Sequence, residues 1–237
     1  MKLSAPIFQL KRRAKLISRD SLIPLNEVLD QIAREEGFPR WSMLSAYMAA
    51  YPQSKSLLSK LHNGDMLLFA GRPGHGKTKI GLQLLIDAIN DDRRAVLFTL
   101  EFTEQQAIKH VQSLEKKAPG ITDSLEIITS DEISADYIIN HLSGSKPGTV
   151  AVIDYLQVLD QQRHKPPLSE QVRALDGFAQ HVGVIFGFIS QIDRSFDADN
   201  KAVPDIHDLR LPNHVELSLF TKACFVHNGK TRLQMVA

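Results

Sequence analysis

The chain has 237 residues, which is enough for one large α/β domain and a small additional segment. Its hydrophobic share of 43% and charged share of 23% are ordinary for a globular protein, and a net charge of +1 gives no overall attraction to nucleic acid or membrane. The single cysteine excludes an internal disulfide, and no stretch is apolar enough for a membrane span or signal peptide. We therefore expect a cytoplasmic protein without a membrane partner.

Residues 1–52 are predicted to form a small helical segment that precedes a main domain of residues 53–237. The first helix is amphipathic and carries a row of basic residues on its outer face. The second begins after Pro24 and ends at Gly37, and the third covers residues 41–50. The basic face either contacts nucleic acid or a protein partner, or it simply faces water.

From Gly64 onwards the chain alternates apolar runs with helical patterns, which predicts a parallel sheet with right-handed crossovers. The predicted strands are Met66–Ala70, Ala95–Leu100, Leu125–Thr129, Thr149–Ile153, Val184–Ser190, Lys222–His227 and Thr231–Val236. Helical patterns cover Gln105–Lys117 and Ser169–His181. The dipeptide Asn228-Gly229 between the last two strands predicts a hairpin. The expected fold class is α/β, with a mostly parallel sheet and a C-terminal antiparallel hairpin.

A phosphate-binding loop is predicted by the stretch Gly71-Arg72-Pro73-Gly74-His75-Gly76-Lys77-Thr78. It lies between an apolar strand pattern and a helical pattern, which is the context that the motif requires. Glycines allow successive backbone N–H groups to point at a phosphate, and the helix N-terminus adds its positive dipole end. Lys77 is predicted to reach the β- and γ-phosphates, and the Thr78 hydroxyl to bind Mg²⁺.

Three polar residues end or follow predicted strands, at the sheet edge where open α/β folds bind ligands. Asp154 ends an apolar strand downstream of the phosphate loop, which is typical of a carboxylate that holds Mg²⁺ directly or through water. Glu101 either orients and deprotonates the attacking water or simply stabilises a helix N-terminus. Gln191 either hydrogen-bonds the γ-phosphate or is an ordinary polar residue at a strand end.

The order of these motifs resembles the RecA-like ATPases and, within them, the motor domain of DnaB-type replicative helicases. The resemblance covers most of residues 64–237 and rests on the phosphate loop and on residues 98–102, 152–157, 189–195 and 208–210. It implies a RecA-like P-loop core with ATP and Mg²⁺ as ligands. It also implies Glu101 as catalytic base, Lys77 as the phosphate-binding cation and Gln191 as a γ-phosphate sensor. A homo-oligomer such as a hexameric ring is implied as well.

In that family, two loops facing the ring centre contact single-stranded DNA. The corresponding segments here are Asp160–Ser169, with Arg163 and Lys165, and Arg194–Pro204, with Arg194 and Lys201. The resemblance therefore implies single-stranded DNA as a partner. Acidic residues in the same segments leave ordinary solvent-exposed loops as the alternative.

The sequence departs from the family pattern near both ends. The family's primase-interacting domain and linker helix are not recognisable, and residues 10–47 instead resemble a small helical segment attached to various bacterial proteins. The family's basic residue that reaches a neighbour's γ-phosphate is not at its place, so that Lys222, Lys230 or Arg232 would have to replace it.

The predicted function is Mg²⁺-dependent ATP hydrolysis coupled to single-stranded DNA, as in a helicase-like or DNA-remodelling factor. The alternative is an ATP-dependent switch or scaffold that acts on a protein partner through the N-terminal helices, without helicase activity.

Overall fold

The computed structural model describes residues 7–21, 23–50, 57–114, 121–160, 165–193, 196, 203–210, 213, 215–227 and 230–236. The chain divides into two compact units, Met1–Pro52 and Gln53–Ala237. That these units are separate domains stays a prediction. Within the described ranges, the helices are all too short or too polar to cross a bilayer.

The first unit contains the helices α1 (Ile7–Ser21), α2 (Leu25–Glu35) and α3 (Trp41–Ala50). Their apolar faces form a small core of buried residues, namely Leu10, Ala14, Val28 and Ile32, against which Trp41 packs. The Asp30 carboxylate accepts a hydrogen bond from the backbone N–H of Trp41 at 2.8 Å, which fixes the start of α3. Gly37 has a φ of 81° directly after α2, a conformation that ends helices and favours glycine.

The described residues of the second unit form one mixed sheet of eight strands. These are β1 (Met66–Gly71), β2 (Ala95–Thr99), β3 (Leu125–Ile128), β4 (Val150–Asp154), β5 (Ile185–Ile192), β6 (Leu209–Arg210), β7 (Lys222–His227) and β8 (Lys230–Met235). The order is β3-β2-β4-β5-β1-β7-β8, with β6 on β5. The pairs β5–β6 and β7–β8 are antiparallel and the others are parallel. The predicted fold class is confirmed.

Strand β5 differs from its predicted bounds because it continues to Ile192, two residues beyond Ser190. The extension is paired with β6, in which Arg210 lies opposite Gln191. A two-residue strand has no readable alternation, so neither β6 nor the extension could be predicted from apolar spacing. Gln191 therefore lies inside a strand rather than directly after one.

Helices cover both faces of the sheet, as parallel strands buried on both sides require. They are α4 (Lys77–Asn90), α5 (Glu104–Leu114), α6 (Ile121–Ser124), α7 (Ala135–His141) and α8 (Leu168–Val182). Alternate residues of β5 enter opposite cores: Ile185 and Ile189 pack with α4, whereas Phe186 and Phe188 pack with α8. Because the central strands are parallel, their carboxyl ends lie at one edge of the sheet.

At the opposite edge, a buried ion pair joins the residue before β1 to the first residue of β7. The Lys222 ammonium donates to the Asp65 carboxylate, and both side chains are less than 10% exposed. The same carboxylate accepts from the Thr221 hydroxyl at 2.8 Å and from the His62 backbone N–H at 2.7 Å. Burial raises the pKa of Asp65, but the hydrogen bonds from Lys222, His62 and Thr221 outweigh it and leave the pKa below its usual value.

We expect Asp65→Asn to lower the free energy of unfolding at neutral pH by about 3 kcal/mol, because it leaves the buried Lys222 ammonium without a counter-charge. Since the pKa of Asp65 is lowered in the folded state, this contribution is present at neutral pH and is lost as the pH falls through that lowered pKa. Denaturant unfolding followed by circular dichroism at several pH values measures it. The control is Arg173→Ala, which breaks an exposed pair with Glu216 and should cost less than about 1 kcal/mol.

Candidate functional site

The phosphate loop connects the end of β1 to the start of α4, as predicted. Gly71 pairs with Val226 of β7, and a Cβ atom at position 71 would lie 2.5 Å from the Val226 carbonyl oxygen. Gly76 has a φ of 98° and directly precedes α4, so the chain enters the helix through a left-handed residue. The loop is therefore held close to the sheet at one end and opens into a helix N-terminus at the other.

The predicted phosphate-binding cation is well buried in the structure. Lys77 is 9% exposed, and its ammonium donates to the Arg72 carbonyl oxygen at 3.0 Å. Burial lowers the pKa of Lys77, while the negative charges of Asp154 and Glu101 oppose this shift. The ammonium thus lies inside the loop within the electrostatic reach of both predicted carboxylates.

The two predicted metal ligands are in direct contact. The Thr78 hydroxyl, in the first turn of α4, donates to the Asp154 carboxylate at the end of β4 over 3.0 Å. Asp154 is 2% exposed, and burial and the charge of Glu101 raise its pKa to about 6, against the lowering effects of Thr78 and Lys77. A hydroxyl and a carboxylate placed together at a helix N-terminus form a donor set of the kind that Mg²⁺ prefers.

The predicted catalytic base follows the neighbouring strand. Thr99, the last residue of β2, lies opposite Asp154 of β4 in the parallel ladder. The Thr99 hydroxyl accepts a hydrogen bond from the backbone N–H of Glu101 at 3.0 Å and so fixes the turn that leaves the strand. The Glu101 side chain is exposed, which leaves its carboxylate open to water.

The predicted sensor lies beside the phosphate loop. Gln191 of β5 is paired with Gly71 of β1, and Ile189, two residues earlier on the same strand, is paired with Asp154. The parallel register therefore brings Gln191, Asp154 and the start of the loop to one sheet edge. Gln191 is half-buried.

The predicted DNA contacts fall mostly on residues that the structure does not describe, which include Arg163, Arg194 and Lys201. Lys165 is described, and its ammonium donates to the carbonyl oxygens of Asp131 and Ile133 at 2.9 and 2.8 Å. These contacts hold the segment before α8 against the chain before α7. They weigh against a role for Lys165 in binding a DNA phosphate.

Three basic residues were considered for contact with a neighbouring subunit, and one of them, Lys222, lies far from the phosphate loop. It begins β7 at the edge opposite the phosphate loop and is buried in the ion pair with Asp65. Lys230 begins β8 opposite His227, at the edge where the phosphate loop lies. Arg232 is exposed on the same strand, so Lys230 and Arg232 remain as candidates.

A cavity of about 330 Å³ lies beside the loop. It was not predicted from the sequence. Gly74, Lys77 and Thr78 line it on one side, and Phe102 and residues of α5 line it on the other. The rings of Phe102 and His110 meet edge to face with centroids 4.9 Å apart. The only signal in the sequence was the aromatic residue directly after Glu101, because the approach of α5 to the loop is a tertiary contact.

Comparison with known proteins points to one group, although no family model matches the chain. It is similar to the replicative DNA helicase DnaB of Mycoplasma pneumoniae, with 26% identity over an alignment of 220 residues, and the match covers 76% of this chain and 46% of that protein. A probable plasmid replicative DNA helicase of Chlamydia muridarum is 25% identical over an alignment of 186 residues, and the match covers 66% of this chain and 41% of that protein. The chain thus spans less than half the length of these curated relatives.

Two solved structures share the fold. One of them, an ATPase domain, has a TM-score of 0.55 and 18% identity over 77% of this chain and 81% of its own. The other, a DnaB-like replicative helicase studied with primase, has a TM-score of 0.57 and 18% identity over 92% of this chain and 65% of its own. The predicted RecA-like fold and the likeness to the DnaB-type motor domain are confirmed.

We expect Asp154→Asn to stabilise the ligand-free protein by about 2 kcal/mol at pH 7 to 8. The raised pKa of Asp154 means that folding favours its neutral form, so the wild type loses stability as the pH rises through about 6. Asparagine removes that charge and can still accept the Thr78 hydrogen bond. The gain should vanish below about pH 4. Thermal unfolding of both proteins between pH 4 and 8 measures it, and an equal or lower stability of the variant at pH 8 would contradict it.

Proposed function

We propose that this chain is a Mg²⁺-dependent P-loop ATPase of the DnaB type whose hydrolysis is linked to single-stranded DNA. The observation that carries the proposal is the 3.0 Å hydrogen bond between Thr78 and Asp154, with the Lys77 ammonium within their electrostatic reach. It joins the phosphate loop to the acidic strand end, two parts that the binding of a phosphate alone would not require together. When bound there, Mg²⁺ would supply positive charge to the nucleotide phosphates.

Each residue then has a defined part in hydrolysis. Lys77 gives one N–H donor to the Arg72 carbonyl and has two more for the β- and γ-phosphates. The oxygen of a water molecule attacks the γ-phosphorus, the bond to the bridging oxygen breaks, and ADP leaves with the electron pair. Glu101 orients that water and accepts its proton, because its carboxylate is exposed beside the site. The Gln191 amide hydrogen-bonds the γ-phosphate and responds to its loss.

The cavity beside the loop suits the nucleoside part of ATP. Its volume of about 330 Å³ is that of a small-ligand pocket, and it opens directly onto Lys77 and Thr78. Phe102 and His110 offer aromatic rings for stacking against a base. We therefore assign the base to this cavity.

The DNA and assembly parts of the proposal rest on the relatives, which are named replicative DNA helicases. Single-stranded DNA is the proposed polymer, with contacts in the segments 160–169 and 194–204. A ring of identical subunits, hexameric as one form, would place Lys230 or Arg232 of one copy near the nucleotide of the next. Residues 1–52 would offer a helical surface to a protein partner, and the cytoplasm is the proposed location.

We expect Glu101→Gln to lower kcat for ATP hydrolysis by about 10²–10³-fold, because it removes the base but keeps a side chain of the same shape. The KM for ATP should change little, since Glu101 has no proposed contact with the bound nucleotide. Phosphate release with and without single-stranded DNA measures both values. The control is Glu104→Gln, which removes an exposed carboxylate three residues away and should hydrolyse ATP like the wild type.

The same assay distinguishes a DNA-linked ATPase from an ATP-dependent switch. Stimulation of the wild-type rate by single-stranded DNA supports the DNA-linked ATPase. A rate that DNA does not change would contradict the link and favour an ATP-dependent switch acting on a protein partner. Binding of ATP without any turnover in the wild type would refute the enzyme proposal itself.

We expect His110→Ala to raise the KM for ATP by roughly tenfold and to leave kcat nearly unchanged, because a lost base contact weakens ground-state and transition-state binding alike. Steady-state kinetics measure both constants. Lys109→Ala is the control, since Lys109 is the exposed neighbour on α5 and does not line the cavity. A fall in kcat with KM unchanged would place His110 in the chemistry instead.

A further inference from the structure

Four side chains meet where the phosphate loop, the end of β7 and the chain after β5 come together. They are Arg72 and His75 of the loop, His227 of β7, and Phe196, and we refer to them as the Arg72 cluster. The Arg72 guanidinium donates to the Phe196 carbonyl oxygen and lies 5.7 Å from the centroid of the Phe196 ring. The His227 ring lies 5.3 Å from that of Phe196 and 4.8 Å from that of His75.

The contact with Arg72 involves both the main-chain carbonyl and the side-chain ring of Phe196. Arg72 and Phe196 are 124 residues apart, so the contact exists only in the folded protein. Phe196 is 4% exposed and His227 is 5% exposed, which makes the junction largely dry. A planar guanidinium can donate to a carbonyl and lie over a ring at once, which an ammonium does less well.

The other end of Arg72 is held by the phosphate-binding cation. The Lys77 ammonium donates one of its three N–H groups to the Arg72 carbonyl oxygen at 3.0 Å, so a phosphate bound by the others would lie next to this contact. Phe196 in turn follows Gln191 by five residues and lies four residues beyond the end of β5. A continuous series of contacts therefore runs from the phosphate-binding ammonium through Arg72 to the chain that leaves β5.

We propose that Arg72 is a positioning residue that links nucleotide binding at Lys77 to the position of Phe196. The proposal rests on the proposed function for the identity of the nucleotide. Arg72 acts through the Phe196 carbonyl and ring, and it needs no contact with the reacting atoms.

The histidine pair supports this arrangement electrostatically. Burial and the positive charges of His227, Arg72 and Lys77 lower the pKa of His75, which favours its neutral ring. A neutral His75 packs against His227 without adding a charge that would repel the guanidinium. The cluster therefore adds no positive charge of His75 to the charges of Arg72 and Lys77.

The test compares hydrogen–deuterium exchange of the full chain with and without saturating Mg²⁺ and adenylyl imidodiphosphate. In the wild type we expect the nucleotide to change the exchange rate of peptides containing Phe196 by about fivefold or more, the size of an ordinary coupling between sites. In Arg72→Ala most of this change should be lost although the analogue is bound, as checked by its own titration. Arg94→Ala is the matched control, because it removes an arginine anchored to Glu126 and Ser145 at the opposite edge.

A second variant approaches the link from its other end. Phe196→Leu keeps an apolar side chain and the carbonyl but removes the ring, and because coupling is reciprocal it should change the affinity for the analogue by about threefold to tenfold. The double variant should differ in affinity from Arg72→Ala by less than this factor, since both changes break the same link.

The outcomes are distinguishable. A Phe196 response that is as large in Arg72→Ala as in the wild type would overturn the proposal, and so would an unchanged affinity in Phe196→Leu. A wild type that binds the analogue without any response at Phe196 would overturn this inference alone. A wild type that does not bind the analogue would overturn the proposed function together with it.

Discussion

The hydrogen bond between Thr78 and Asp154 connects two parts of the chain that are 76 residues apart, and the rest of the site is arranged around it. It brings the first turn of α4 against the end of β4, so the helix N-terminus and the buried carboxylate face the same space. The energetic constraint is severe, since Asp154 is nearly inaccessible to water and burial disfavours its charge. An apolar residue in that position would avoid this desolvation cost. The proposed role of Asp154 in binding Mg²⁺ would account for a carboxylate in this position despite its cost in stability.

The two edges of the sheet differ in the interactions of their polar side chains. At the amino ends of the strands, ion pairs such as Asp65–Lys222 and Arg94–Glu126 satisfy one another and close the structure. At the carboxyl ends, Lys77 and Thr78 line a cavity, and Asp154 and Gln191 lie at the same edge. This separation keeps the buried ion pair of one edge apart from the side chains proposed to bind a nucleotide at the other.

The sequence predicted those features that depend on local pattern. The phosphate loop is a continuous motif, and Glu101 and Asp154 follow apolar runs whose parallel pairing brings their ends together. Features that depend on contacts between distant residues were not predictable. The pairing of Arg72 with Phe196 has no local signature, and the charge of Lys165 does not reveal that carbonyl groups surround its ammonium. Strand β6 was too short for its spacing to be read.

The contact at Gly71 affects how an intact nucleotide site can be recognised in related chains. The usual reason for glycine in such a loop is the approach of a phosphate, but here a side chain at position 71 would collide with the Val226 carbonyl oxygen of the adjacent strand. The sheet demands this glycine whether or not a nucleotide ever binds. A descendant that had lost ATP binding would be free to replace Lys77 and Thr78 yet would still keep Gly71. The first glycine of the motif is thus a marker of sheet integrity, and only the residues after it can serve as markers of an intact nucleotide site.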